Sequence, residues 1–203
     1  MPVSPFPDDA QRQASREAKR KAVLLAAVRM FNARGFHATS LDDVAASLGI
    51  SKPTIYHYLG TKDQVLLECV TFGLHQLLEA AETARRQPGT GLARLRTFLI
   101  SYARVNMEDF GRCVIRTGEE MLSPESAERF RDLKREIDAA LRALIREAVA
   151  DGSMVPVDER IAAFTFAGAL NWPARWFDPD GPESAQATAE HMVDLLIAGC
   201  TPR

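Results

Sequence analysis

From Ser15 onward the apolar residues recur with the period of a helix. Leu24, Ala27, Val28 and Phe31 fall at i, i+3, i+4 and i+7, so the spacing predicts a first helix that stops at Gly35. Thr39 and Ser40 offer N-cap hydroxyls for a second helix, Leu41 to Leu48. A third starts near Ser51 and ends by Gly60, and a fourth runs from Lys62 to about Arg86. After a break at Gln87–Gly91 helical spacing returns over 92–106, and residues 107–120 predict a short, imperfect helix. A longer helix has Ser123 as N-cap, Pro124 at the first helical position and Gly152 at its close. Residues 157–177 and 181–200 complete the pattern, with a kink expected near Ala169 because Pro173 removes one backbone hydrogen bond. No stretch sustains period-two alternation. The fold predicted is all-α, about nine helices, with no internal repeat.

Composition refines this picture. The 203 residues are 46% apolar and 26% charged, enough to bury a real core. Cys69, Cys113 and Cys200 are odd in number, far apart and in no CxxC pair, which argues against a disulfide framework or a structural zinc site and fits a reduced cytosol. The first residues lack the apolar segment of a signal peptide, and no apolar run reaches the ~20 residues of a membrane span, so a cytoplasmic protein is expected. Net charge is −2, unevenly spread: residues 1–65 hold nine Lys/Arg against six Asp/Glu, a net of +3, and the remainder is −5. A small basic head on an acidic body suits contact with DNA. The organisation expected is a disordered tail over 1–14, one domain over 15–61 and a second over 62–203.

The most informative stretch is LDDVAASLGISKPTIYHYLG, Leu41 to Gly60. Two short helices can cross steeply only where the residues at the crossing are small or apolar. Ala45 is the small residue, Gly49 permits the turn, and Val44, Leu48, Ile50 and Ile55 supply a shared core. Ser51 caps the second of the two helices. Its first turn, with Lys52, Pro53, Thr54, Tyr56 and His57, is then free to enter a major groove. Lys62 at the start of the fourth helix combines a cation with free backbone N–H groups, suited to a phosphate. The cluster Arg12, Arg16, Lys19, Arg20, Lys21 reads equally as a phosphate-tracking arm and as a solvated helix face.

The run Gly35 to Leu66, GFHATSLDDVAASLGISKPTIYHYLGTKDQVL, resembles bacterial TetR-type regulators. It departs from their pattern at Leu59, where phenylalanine is usual, and at Gly60, often Lys or Ser. The resemblance implies base-edge or nearby phosphate contacts from Lys52, Pro53, Thr54 and Tyr56, and backbone contacts from Ser40, His57, Tyr58 and Lys62. It also implies a homodimer on a palindromic operator in double-stranded DNA, paired through the last two helices. Phe166, Ala169 and Trp176 on one and Met192, Leu195 and Leu196 on the other are the expected interface, with Gly168 and Ala169 allowing close approach.

Family members of this type wrap the remaining helices around an effector cavity. Phe98, Tyr102, Phe110, Cys113 and Phe164 are the expected lining, joined by Met107 and Met121, although residues at this spacing equally form plain core. The segment NWPARWFDPDGP is similar to one in members that govern lipid or organic-acid catabolism, where acyl-CoA thioesters serve as effectors. That likeness gives Arg175 a phosphate and Trp172 or Trp176 an adenine to stack on. The competing reading is a dimer-interface tryptophan pair with an arginine salt bridge. The function expected is a repressor released from its operator by a small molecule, an acyl-CoA or another hydrophobic effector. The alternative is an architectural or protein-interacting DNA-binding factor without an effector. No enzyme, cofactor or metal is expected: Gly89-Thr90-Gly91 lacks the Lys-Ser/Thr of a P-loop, and His37, His57, His75 and His191 stand at no catalytic spacing.

Overall fold

The computed structural model describes residues 9–202, with backbone alone at 9, 10, 12 and 15. The chain divides into two compact units between Glu68 and Cys69. The first contains α1 (Asp9–Arg34), α2 (Leu41–Ser47) and α3 (Lys52–Leu59), together with the opening of α4 (Lys62–Arg85). Its three helices pack on one another through the apolar stripe read above, with Ala27, Val28, Val44 and Ile55 fully buried. Helix α1 begins at Asp9, ahead of Ser15. Residues 9–14, DAQRQA, contain no helix breaker, and Ala, Gln and Arg have high helix propensity. Residues 1–8 of the expected tail lie outside the described residues.

The second unit holds the rest of α4, α5 (Gly91–Met107), α6 (Asp109–Arg116), a single 3₁₀ turn η1 (Glu119–Met121), α7 (Pro124–Ala150), α8 (Glu159–Asn171), α9 (Pro173–Trp176) and α10 (Ala185–Ile197). Helix α5 is its hub: it packs against α6, α7, α8, α9 and α10, and more than half of its residues are buried. The approach of α5 to α7 requires Gly91, since a Cβ there would stand 2.5 Å from the Ala148 backbone. Pro173 acts as expected. With no N–H at 173, the Ala169 carbonyl accepts from Trp172 instead at 3.3 Å, and α8 gives way to the short α9. Counted as two arms of one broken helix, α8 and α9 bring the α-helices among the described residues to nine. No helix among them is long and apolar enough to cross a membrane.

Asp151 closes α7 and fastens it to α5. Its carboxylate accepts the Gly91 N–H at 2.5 Å and the Ser153 N–H at 3.0 Å, and pairs with the Ser153 hydroxyl. These bonds, the hydroxyl foremost, hold its pKa below the ordinary carboxylate value. A depressed native pKa contributes stability that is complete above the unfolded value, about 3.9, and is lost as pH falls through the lower folded value. Asp151→Asn should therefore lower Tm at pH 7, with the gap to the parent closing as the pH of the melt is taken below 4.

Candidate nucleic-acid interface and ligand cavity

Ser40 starts α2 with a reciprocal cap. Its hydroxyl accepts the Asp43 N–H at 3.1 Å, and the Asp43 carboxylate accepts the Ser40 N–H at 2.9 Å. Thr39 is buried instead, its hydroxyl donating to the Gly35 carbonyl at 2.9 Å. The chain leaves α2 through Gly49 at φ +63°, a conformation that side chains with a Cβ adopt at a cost, and the Ile50 N–H turns back to the Ala45 carbonyl at 3.1 Å. Val44, Ala45 and Ile55 are buried at the crossing and Ile50 is half-buried. Leu48 is corrected. As the C-cap of α2 it lies at the rim of the turn and is 37% exposed, outside the core. Leu59, in the usual phenylalanine position, is buried as an apolar plug, and Gly60 closes α3.

The first turn of α3 is open. Ser51 is its N-cap by backbone conformation, yet its hydroxyl pairs with Thr54 Oγ1 at 2.7 Å and makes no side-chain cap. The leading N–H groups of α3 therefore lack a side-chain acceptor. Lys52, Pro53, Tyr56 and His57 are exposed; Thr54 and Tyr58 are half-buried. The Lys52 ammonium donates to Asp42 Oδ2 of α2 at 2.7 Å, which raises its pKa, and lies 5.9 Å from the Tyr56 ring centre. His57 and Tyr58 pack edge to face at 5.7 Å. Lys62 rests its ammonium 4.2 Å above the Phe36 ring, and burial lowers its pKa. Ser40, at the start of α2, is exposed as well. In the basic cluster, Arg16, Lys19, Arg20 and Lys21 are exposed on α1, and Arg20 is paired to Glu68 through both carboxylate oxygens. The Arg12 side chain lies outside the described residues.

The second unit contains a cavity of about 380 Å³. Phe130, Ile137 and Leu141 of α7 and Leu74 and Leu77 of α4 form much of its apolar wall, with Val114 and Ile115 of α6 and Phe164 and Ala167 of α8 completing it. Its polar groups are Tyr102, Thr117, Lys134, Asp138 and Asn171. The Tyr102 hydroxyl donates to Asn171 Oδ1 at 2.9 Å, and Asn106 Nδ2 donates to the same oxygen at 3.0 Å. Burial raises the Tyr102 pKa, so the hydroxyl stays a neutral donor.

Of the lining expected from sequence, the structure brings Tyr102 and Phe164 to the cavity and the others elsewhere. Phe98 sits fully buried on the hub helix, surrounded by its partners, and meets Tyr102 edge to face at 5.8 Å. Phe110 packs on Phe72 at 4.4 Å. Cys113 is buried beside Thr117, and burial pushes its thiol up to about 11, which keeps it protonated. Met107 is buried and Met121 half-buried, both off the cavity. Trp172 and Arg175 follow the end of α8 and are exposed, off the cavity. The residues missed are chiefly on α7. Their signal was available: Lys134 and Asp138 share a helical face with Phe130, Ile137 and Leu141, at i+4, i+7, i+8 and i+11 from Phe130.

The expected interface residues also divide. Phe166 is corrected: Ala163, Phe166 and Leu170 form the inward face of α8 and are spent in the unit's own core. Ile161, Gly168 and Trp172 form the outward face, continued by Trp176, and Ala169 is half-buried between the two. On α10, Leu195 is 79% exposed, flanked by half-buried Met192 and Leu196.

A three-helix unit with a crossed helix pair and an open recognition turn, followed by an all-helical unit with a cavity, defines a helix-turn-helix DNA-binding regulator. Residues 23–69 match the model of the bacterial regulatory proteins of the tetR family, and residues 88–200 match the Tetracyclin repressor-like C-terminal domain. The chain belongs to the TetR family of transcriptional regulators. It is a DNA-binding regulator and not an enzyme. It is 27% identical to the HTH-type transcriptional repressor KstR2 of Mycolicibacterium smegmatis, over 96% of this chain and 95% of that one. Among solved structures it is similar to the TetR-family regulator PfmR of Thermus thermophilus, with 34% identity, a TM-score of 0.79, and 87% and 97% of the two chains covered. It also shares the fold of AibR, solved with isovaleryl coenzyme A and operator DNA, at 24% identity, a TM-score of 0.76, and 87% and 96% coverage.

Proposed function

We propose that this chain is a ligand-released repressor that works in the cytoplasm as a homodimer on a palindromic operator. The observation that carries this reading is one chain holding both an uncapped, exposed recognition turn and a cavity large enough for a small molecule. At about 380 Å³ the cavity falls within the size range of small-molecule pockets, which disfavours an architectural factor with a filled core. Lys52, Pro53, Thr54 and Tyr56 face base edges or the adjoining phosphates, and Ser40, His57, Tyr58 and Lys62 hold the DNA backbone. The outward apolar stripe of α8 and α9 with Met192, Leu195 and Leu196 is the dimer face, since monomers rarely leave contiguous apolar area uncovered. A hydrophobic effector, an acyl-CoA among the classes considered, favours the state that does not bind DNA; equal affinity for both states would shift nothing. The relative bound to isovaleryl coenzyme A supports that class. Helix α4, which contributes Lys62–Glu68 to one unit and Cys69–Arg85 to the other, is the covalent path between them.

The test is a mobility-shift titration on the DNA upstream of the gene. A dimer-sized shift that resists unrelated competitor DNA is expected, and equal displacement by any duplex would overturn the reading. A phosphate must compete with Asp42 for Lys52. Asp42→Asn is accordingly expected to tighten binding to unrelated DNA by up to about five-fold at low salt, the scale of an exposed ion pair. Anisotropy titrations at two salt concentrations check it, and the gain should shrink at the higher one.

A further inference from the structure

The polar rim of the cavity is built around a cation with a replaceable partner. Lys134 lines the cavity, its ammonium 4.4 Å over the Phe130 ring and 2.8 Å from Glu119 Oε1 of η1. Glu119 has a second cation, Arg131, 3.1 Å from its other oxygen. Two cations therefore share one carboxylate. An incoming anion that takes Lys134 leaves Glu119 paired to Arg131, and no charge is stranded. Two of the other polar groups are already committed. Asp138 is neutralised by Arg142 at 2.8 Å, and the Tyr102 O–H is given to Asn171. Two more cations stand at the exposed lining residue Phe164, whose ring has the Arg142 guanidinium at 5.7 Å and that of Arg160 at 5.6 Å. The remaining wall is aliphatic and aromatic, and a cavity of about 380 Å³ lies at the lower end of small-molecule pockets, less than a whole coenzyme A requires.

We infer that the cavity takes a medium-length apolar carboxylic acid, its chain against Phe130, Ile137 and Leu141 and its carboxylate on Lys134 in place of Glu119. This rests on the ligand-responsive reading above and narrows it from hydrophobic effectors at large to free acids. Lys134 is partly exposed, so solvent screens the pair and the expected selectivity is moderate.

The experiment is calorimetric titration of the full-length protein with decanoate, decanol and decanoyl-CoA. Decanoate is expected to bind about ten-fold tighter than decanol, the scale of a partly screened charge-assisted hydrogen bond. Lys134→Met should bring decanoate down to the level of decanol measured on the same variant. Glu119→Gln, which removes the internal competitor, should tighten decanoate several-fold. Equal binding of acid and alcohol, unchanged selectivity in Lys134→Met, weaker decanoate binding in Glu119→Gln, or tighter binding of decanoyl-CoA than decanoate would each overturn the head-group assignment. Tight binding of decanol or decanoyl-CoA in those cases would leave the ligand-responsive reading intact, and failure of all three probes overturns the inference. The DNA-binding reading is judged separately by the mobility shift.

Discussion

Replacing Lys52 and Tyr56 together by alanine is expected to weaken operator binding by at least about 100-fold, since each lost base-region contact costs ~1–3 kcal/mol and a dimer loses every contact twice. Both side chains are exposed at successive turns of α3, and neither belongs to the core under the helix pair. The melting temperature should therefore hardly move, because substitutions at exposed positions outside a core usually stay within about 0.5 kcal/mol. The single variants sort the roles. A phosphate-binding Lys52 weakens all duplexes alike and its loss flattens the salt dependence, whereas a base-reading Tyr56 relaxes the sequence preference when removed. Anisotropy titrations with operator and scrambled duplexes separate the two. Unaltered operator affinity in the double variant would mean that another surface reads the DNA.

The second large effect is on stability. Phe98→Ala should cost ~3–5 kcal/mol, the range for emptying an aromatic site in a close-packed core. Phe98 is wholly buried on α5, the helix against which α6 to α10 pack, so the void it leaves has rigid walls on several sides. Denaturant melts should show the loss as a lower midpoint with little change in slope. The distinction matters for function. A Phe98 that lined the cavity would change effector affinity with a small stability cost; a core Phe98 does the reverse.

The helix-turn-helix was legible because its determinants are local. The capping hydroxyl of Ser40, a small residue at the crossing, a glycine in the turn and apolar residues at helical intervals all fall within twenty residues. The same holds for Pro173, since a missing N–H within a helix interior breaks it. The cavity was not legible in this way, since its walls come from α4, α5, α6, α7 and α8 and exist only once those helices pack. Aromatic and sulfur-bearing character marks Tyr102 and Phe164 but equally Phe98, Phe110 and Cys113, which have the same chemistry and fill core space. Phase would have served better than residue type. On α8, the interval of Ala163, Phe166 and Leu170 marks the buried face, and on α7 two charged residues interrupt an apolar stripe where the cavity lies. The start of α1 was missed for a simpler reason: DAQRQA is polar, so apolar periodicity is silent there while helix propensity is not.

Selection of bound sequences from a pool of random duplexes tests the central claim most directly. If two copies of the α3 turn read DNA as a pair, repeated rounds will enrich an inverted repeat whose half-site centres lie about 34–36 Å apart or a multiple of it. Recovery of a lone half-site, a direct repeat or no common sequence would contradict it.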